Sequence, residues 1–152
     1  GLYHLEGAST SILANGATHP DETVSSGGIT LDFAITSGAV GLAYTSKMQT
    51  LRIEAGSSDG TSQGKPKRIH DVTLRFHETV GAEVGTDAAN ADRIFFRDSS
   101  MDMDTAVPLF TGDKEIEFPG GFEEGDRIYV QQTQPLPMTV LALYPRMNTH
   151  DV

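Results

Sequence analysis

The 152-residue chain contains no cysteine, and this absence removes several kinds of chemistry at once. Without thiols there is no disulfide framework, no thiolate zinc site and no cysteine nucleophile. A long hydrophobic run is also missing: the longest, residues 140–144, is far shorter than the ~20 apolar residues of a transmembrane helix. Neither an initiator methionine nor a signal-peptide pattern is visible at the start. We therefore predict a soluble piece of a longer chain, with no membrane insertion.

Motifs that indicate catalysis or ligand binding are nearly absent as well. No HExxH, GxGxxG or P-loop pattern occurs, and the one GxSxG match, residues 56–60, is not followed by the helical pattern that a nucleophile elbow requires. Residues 98–104 hold three carboxylates but lack the glycine and terminal glutamate of a calcium loop, so a solvated acidic loop is the simpler interpretation. We predict no enzyme activity, no cofactor and no metal. Surface or interface positions are expected for the five histidines, which are His4, His19, His70, His77 and His150.

Charge of one sign dominates the chain. The formal net charge is −10, and the main basic cluster is Lys65, Lys67 and Arg68. An acidic surface repels phosphate, which argues against sequence-specific nucleic-acid binding. A surface that repels DNA could nevertheless line a path along which DNA slides. We predict that the basic cluster contributes salt bridges between subunits or is simply solvated.

Helical periodicity is nearly absent, whereas alternation with period 2 recurs along the chain. The clearest case is residues 29–35 (Ile-Thr-Leu-Asp-Phe-Ala-Ile), which predicts a half-buried strand. Residues 72–80 repeat the pattern, with Glu78 as the one polar residue on the inward side. Residues 51–55 and 128–131 alternate in the same way. Four separate runs therefore predict strands.

Turn residues support this interpretation. Asn15-Gly16 is a strong signal for a type I′ hairpin, and residues 119–121 with 123–126 predict a second hairpin. Residues 56–64 and 85–91 have the composition of long loops. We predict an all-β fold of eight to ten strands, an antiparallel β-sandwich or barrel-like domain with long loops. The chain is expected to be a single domain over 1–152, with a subdivision near 56–64 as the alternative.

The last apolar run, residues 134–145, differs from the others because it is apolar on both faces. It is therefore either a strand buried on two sides or one whose outer face meets another subunit. Together with the basic cluster it forms the predicted subunit interface, whose residues are Met138, Val140, Leu141, Leu143, Tyr144, Lys65, Lys67 and Arg68.

Several short strings, kept in order over nearly the whole chain, resemble the C-terminal portion of tail structural proteins of tailed bacteriophages and prophages. The likeness is to tail tubular or nozzle-like proteins of short-tailed phages. The strings are residues 4–7, 11–16, 40–44, 63–69, 78–81, 109–113 and 135–141.

The resemblance implies a structural subunit of a ring around the channel through which DNA leaves the virion. Its expected partners are further copies of itself, for example as a hexamer, other tail proteins and DNA in transient, non-specific passage. Its expected location is the phage tail, after synthesis in the bacterial cytoplasm or from a prophage. No cofactor is expected.

Two other functions are considered. One is a β-module that binds a carbohydrate or protein of the host surface, which exposed aromatic residues along a groove would favour. The aromatic residues in question are Tyr3, Tyr44, Phe95, Phe96 and Tyr129. The other is a cell-envelope hydrolase, for which the sequence offers only the GxSxG match at residues 56–60.

Overall fold

The computed structural model describes residues 1–54, 61–122 and 127–149, which form ten β-strands and one short 3-10 helix, Tyr3–Leu5. All strand pairs are antiparallel, so the predicted all-β fold class is confirmed. No helix in the described ranges is long and apolar enough to cross a bilayer. The strands are β1 (Ser9–Ala14), β2 (Ala17–Thr23), β3 (Gly38–Gly41), β4 (Ser46–Gln49), β5 (Lys67–Thr79), β6 (Glu83–Gly85), β7 (Ala91–Arg93), β8 (Phe110–Glu117), β9 (Tyr129–Gln132) and β10 (Val140–Thr149).

Two of the three sheets form a sandwich around one hydrophobic core. Their strand orders are β10-β5-β8 and β4-β9-β6-β7. The core includes a row of aromatic rings in which Phe96 lies 5.5 Å from Phe76 and 5.8 Å from Phe110, measured between ring centroids. Its fully buried aliphatic residues are Ile69, Val72, Leu74, Val84, Ile128 and Val130.

The third sheet, β2-β1-β3, lies at the N-terminal end of the chain and has a small core of its own. Ile12, Ala14 and Val24 are buried there beside Thr10 and His19, apart from the sandwich core. Among the described strands, those of this sheet contact one another and not the strands of the sandwich. The assignment of residues 1–152 to one domain therefore stays a prediction.

Alternation identified the central strand of the sandwich correctly. Along β5 the side chains of Val72, Leu74 and Phe76 are fully buried in the core. The inward position predicted for Glu78 is wrong, because the register shifts between Phe76 and Thr79. Glu78 lies in this bulge with a positive φ of 43° and is exposed, whereas Thr79 is fully buried.

The clearest predicted strand, residues 29–35, is wrong, since this segment is irregular and pairs with no described strand. It lies instead against β2 through the buried ring of His19. The Asp32 N–H donates to His19 Nε2 at 3.2 Å, and the Phe33 ring lies 5.4 Å from the imidazole. Since the Pro20 carbonyl can only accept, His19 Nδ1 donates to it at 2.8 Å. The side chain of His19 thus holds this segment in place, in the absence of the backbone hydrogen bonds that a paired strand would make.

The predicted strand at 51–55 is also wrong where it is described, because residues 51–54 are irregular. Just before this segment the Thr50 N–H donates to the Ile128 carbonyl at 3.0 Å, and within it the Ile53 carbonyl accepts from Lys67 Nζ at 2.8 Å. Position 55 lies outside the described residues. The predicted strand at 128–131 is confirmed as β9, which is buried on both faces.

The Asn15-Gly16 hairpin is confirmed, with φ angles of 51° and 84° at the two turn residues that join β1 and β2. The second predicted hairpin is wrong. Strands β8 and β9 lie in different sheets, β8 against β5 and β9 between β4 and β6, because each completes a different layer of the sandwich. Residues 123–126, part of that prediction, lie outside the described residues.

The two predicted long loops differ in outcome. Residues 56–60 lie outside the described residues, and 61–64 contain a turn. Strand β4 before this segment pairs with β9 after it, so both flanks belong to one sheet. Residues 85–91 are not one long loop: Gly85 pairs with Ala91, so that 86–90 connect the hairpin of β6 and β7.

Candidate functional site

Large apolar side chains are exposed along residues 42–51, which run from the end of β3 through β4, an edge strand of the sandwich, to just beyond it. Leu42, Tyr44, Met48 and Leu51 are 61%, 80%, 42% and 86% exposed, and we call these four residues the apolar strip. They are four of the twelve exposed large hydrophobic residues in the described chain, within ten residues of sequence. Such concentration on a surface marks sites of contact with other molecules.

A groove with a volume of about 400 Å³ adjoins the apolar strip. It is lined by residues 39–44 and 132–138 together with Ser11, Leu13 and Ser46, and we call it the neutral groove. Its floor is the outer face of the N-terminal sheet, where Ser11 pairs with Gly41 and Leu13 with Ala39. These mostly small side chains leave the floor open, since a Cβ added at Gly41 would meet no atom within 4 Å.

The opposite wall, residues 133–138, is held in place by the buried amide of Gln132. Its Nε2 donates to the carbonyls of Val80 at 3.3 Å, of Gly81, and of Leu136 at 3.4 Å. Its Oε1 accepts from the Gln134 N–H at 3.3 Å. A single side chain thus connects the wall to the end of β5.

Thr79 supplies the second anchor of this wall, from the bulge at the end of β5. Its hydroxyl accepts from the Thr139 N–H at 2.9 Å and lies 2.9 Å from the His77 carbonyl, to which it donates. The Val80 N–H donates to the Pro137 carbonyl at 3.0 Å. Because these bonds are made within the chain, the wall has its shape before any partner binds.

Charge is absent from the described residues that line the neutral groove, although the chain as a whole carries −10. Within 42–51 the single formal charge is that of Lys47, which is exposed on β4. A binding site for phosphate, metal or a charged peptide would instead collect side chains of the opposite sign. The surface therefore favours an uncharged partner with apolar side chains.

The apolar part of the predicted interface is divided between core and surface. Met138, Val140 and Leu143 pack against the sandwich core, and Met138 also lines the neutral groove. Leu141 and Tyr144 are exposed on β10, the edge strand of its sheet.

On the outer face of that sheet, the Arg75 guanidinium lies 5.3 Å from the Tyr144 ring centroid. Arg75 also donates to both carboxylate oxygens of Asp113, at 2.7 and 2.8 Å. This ion pair holds the pKa of Asp113 below its ordinary value of 3.8. Tyr144 is thus already engaged by side chains of its own chain.

Lys67 does not belong to the interface, because its side chain is fully buried at 0% exposure. Its Nζ donates to the carbonyls of Ile53 at 2.8 Å and Ser62 at 3.3 Å. The Ser62 N–H donates to Glu54 Oε1 at 2.7 Å, and this bond is the main cause of the lowered pKa of Glu54. Lys67 therefore has a structural role within the chain. Of its neighbours, Arg68 is exposed and Lys65 is partly buried.

Of the five aromatic residues considered for a carbohydrate site, Tyr44 alone lines the neutral groove in the described structure. Phe96 and Tyr129 are buried, and Tyr3 packs its ring over Gly27. Phe95 is exposed and does not line the groove.

Neither a protein-family model nor a curated protein matches this chain.

The acidic segment 98–104 is held by its own hydrogen bonds. Asp98 accepts from the Ser100 N–H at 2.8 Å, and the Arg97 guanidinium donates to the carbonyls of Asp102 and, at 2.6 Å, Thr105. Within the described ranges, no three or more histidine, aspartate or glutamate residues are grouped so that they could hold a metal. His4 and His77 are exposed, His19 is buried, His70 is partly buried, and position 150 lies outside the described residues.

Sequence reasoning missed most of this site. Polar residues separate Met48 and Leu51 from each other and from Tyr44, so no apolar run marks the strip as a whole. Met48 lies at an edge of the sandwich because β4 pairs with β9, which follows 80 to 86 residues later. Gln132 gives no signal, because only the fold brings Val80 and Leu136 within reach of its amide. A usable hint was the lack of charge in 38–46 and 132–138.

Proposed function

We propose that this chain is a non-catalytic structural subunit that binds neighbouring proteins of a larger assembly through the apolar strip and the neutral groove. The observation that carries the proposal is the exposure of Leu42, Tyr44, Met48 and Leu51 beside a groove lined by uncharged residues. Burial of apolar surface is the main driving force of protein association. A face of this kind gains most from being covered by another protein.

The assembly that we propose is the tail of a bacteriophage, with the chain in a ring around the DNA exit channel. The support is the ordered resemblance to tail tubular and nozzle-like proteins. The net charge of −10 agrees with this role, because acidic walls do not bind phosphate and would let DNA pass.

Site-specific photocrosslinking in purified particles tests the proposal. A photoreactive amino acid replaces Leu51 in the full-length protein, which is expressed in the cells that naturally encode it. The proteins cross-linked to position 51 are then identified by mass spectrometry. We expect products that join position 51 to a structural protein of the particle. Position 95 is the matched control, since Phe95 is 77% exposed and lies outside the strip.

Two results would contradict the proposal. One is absence of the chain from particles that contain the other tail proteins. The other is that position 95 cross-links as efficiently as position 51, which would show that the strip is no preferred contact.

A second candidate function, binding of a host-surface carbohydrate, has one observation in its favour. Tyr44 presents an exposed ring at a groove that also contains the amides of Gln132 and Gln134. Aromatic rings and planar amides are suited to an uncharged ligand of this kind. A glycan array tests it: reproducible binding that is lost in Tyr44→Ala would favour this function, and an empty array would oppose it.

A further inference from the structure

The Asn15-Gly16 turn between β1 and β2 is bound to a distant part of the chain. The Thr36 N–H, the Thr36 hydroxyl and the Ser37 N–H donate to Asn15 Oδ1 at 2.9, 3.0 and 3.1 Å. In the other direction, the Asn15 N–H donates to the Ser37 carbonyl at 2.8 Å. Two backbone N–H donors identify the accepting atom as the amide oxygen, since the amide nitrogen only donates. The turn is thus tied to the segment that leads into β3.

We propose that Asn15 is a deamidation site that the folded N-terminal sheet protects, and that it reacts when the hairpin and residues 36–37 come apart. Asparagine followed by glycine is the most reactive pair for this modification, because glycine has no side chain to hinder attack by its backbone nitrogen. Of the three asparagines in the sequence, Asn15 is the one followed by glycine. Asn15 and Gly16 are both exposed, so water reaches the turn.

The reaction needs water as its sole co-reactant. The Gly16 nitrogen attacks Asn15 Cγ and the Cγ–Nδ2 bond breaks, so that ammonia leaves with the proton of the Gly16 N–H. Water then opens the resulting succinimide ring. Attack at Cγ gives aspartate, and attack at the backbone carbonyl carbon gives isoaspartate. Either product adds a negative charge, and isoaspartate also adds a methylene group to the backbone of the turn.

The folded turn holds the reacting atoms apart. In a type I′ turn the first central residue has a ψ of about 30°, the mirror image of a type I turn. At this angle the Gly16 nitrogen lies beside the backbone nitrogen of Asn15 and away from its Cβ, so it cannot reach Cγ. The φ angles of 51° and 84° at Asn15 and Gly16 belong to this turn type. Ring closure therefore requires the hairpin to open, and the three bonds to Oδ1 oppose rotation of the side chain.

Opening at this turn also affects the neutral groove. β3 follows Ser37 directly, and its first residue, Gly38, pairs with Ala14 beside the turn. Ala39 and Gly41 of the same strand line the groove. The longer backbone of isoaspartate does not fit the two-residue turn, so the contact between position 15 and residues 36–37 is weakened after the reaction. The modification therefore loosens the strand that forms the groove floor.

Peptide mass spectrometry tests the inference. The 152-residue chain is incubated at neutral pH and digested, and the fraction of aspartate and isoaspartate at position 15 is followed over time. Gly38→Ala is the variant, because its Cβ would lie 2.9 Å from the Leu13 carbonyl oxygen and 2.7 Å from Ile35 Cδ1. Since this overpacking weakens the first pair of β3 with β1, we expect deamidation about tenfold faster.

Gly41→Ala in the same strand is the matched control. No atom lies within 4 Å of its added Cβ. Its deamidation rate should stay within about twofold of the wild-type rate.

A second measurement does not depend on a substitution in β3. Thr36→Val removes the hydroxyl donor to Asn15 Oδ1 and keeps the backbone N–H, so we expect deamidation about twofold to tenfold faster. In urea that unfolds the chain, the wild-type rate should rise at least about tenfold above the folded rate. Thr36→Val should then react at the wild-type rate, because the unfolded chain has lost the contact with residues 36–37.

Equal deamidation rates for the folded and the unfolded wild-type chain would overturn the inference, because the fold would then give no protection. Equal rates for folded Gly38→Ala and Gly41→Ala would overturn it as well, since separation of β3 from β1 would then not control the reaction. Neither result depends on a partner protein. This inference and the proposed function can therefore fail separately.

Discussion

Gln132 is the residue on which the shape of the neutral groove depends most directly. Its buried amide donates to the carbonyls of Val80, Gly81 and Leu136. Gln132→Leu keeps the approximate size of the side chain but leaves these carbonyls without their donor. Since an unsatisfied buried polar group costs about 1–3 kcal/mol, we expect a loss of that size in the free energy of unfolding. Urea denaturation measures it.

The control for this substitution is Gln49→Leu, which replaces an exposed glutamine on β4. A surface change of this kind is expected to stay within about 0.5 kcal/mol. Equal effects of the two substitutions would show that the amide of Gln132 does not hold the wall.

The ion pair between Arg75 and Asp113 is predicted to make a contribution to stability that depends on pH. The pKa of Asp113 is lowered in the folded chain, chiefly by its hydrogen bonds to Arg75. The ionised carboxylate therefore stabilises the fold above the ordinary pKa of 3.8, and this contribution is lost as the pH falls through the lower, folded pKa. A double-mutant cycle with Arg75→Ala and Asp113→Ala should show favourable coupling at neutral pH that disappears in strong acid. Coupling that persists or grows on acidification would contradict the assignment.

At the scale of elements, the segment from the β5 bulge to Gly81 forms the support of the groove wall. Gly81 has a φ of 83°, and an added Cβ would lie 2.8 Å from Leu136 Cδ1 and 2.9 Å from Gln132 Nε2. Gly81→Ala should destabilise the fold by about 1–2 kcal/mol from the left-handed backbone alone. The crowding of Gln132 and Leu136 should weaken the wall as well, so photocrosslinking from position 51 to other proteins of the particle should fall. Gly121→Ala is the control, because nothing lies within 4 Å of that Cβ.

Local sequence patterns predicted correctly those elements whose structure is determined by residues close together in the sequence. Asn15-Gly16 adopts the positive φ angles that its turn type needs, so the hairpin of β1 and β2 was predictable. The alternation of Val72, Leu74 and Phe76 matches a strand with one face in the core. Residues 29–35 show the same alternation and form no strand; the His19 ring binds this segment against β2 instead. Alternation indicates a half-buried segment but does not determine whether the segment pairs with another strand.

Long-range pairing accounts for what local patterns could not supply. β8 and β9 are close in sequence, and each pairs within a different layer of the sandwich. The position of the apolar strip at an edge follows from the pairing of β4 with β9. Neither pairing leaves a sign within a short window of sequence. The candidate site is therefore the part of the molecule that depends most on the complete fold.

At the scale of the whole molecule, the separate core of the N-terminal sheet predicts separate stability. Ile12 is fully buried in that sheet, and Leu74 is fully buried in the sandwich. Ile12→Ala should lower the opening free energy of the amides in β1, β2 and β3 by about 2–5 kcal/mol, the usual cost of such a core truncation. The amides of β5 should keep their protection, because the described strands of the two units do not touch. Native-state hydrogen exchange measures the protection of the amides in β1–β3 and in β5 in one experiment.

Leu74→Ala is the matched truncation in the other core, and it should lower the protection of β5 by a similar amount. If Ile12→Ala instead lowers protection in β5 as much as in β1, the chain unfolds as one cooperative unit and residues 1–152 form a single domain in the thermodynamic sense. If the two sets respond separately, the neutral groove lies between two independently stable units. A partner protein that fills that groove would then join the units, and its binding should raise the protection of β1–β3 more than that of β5.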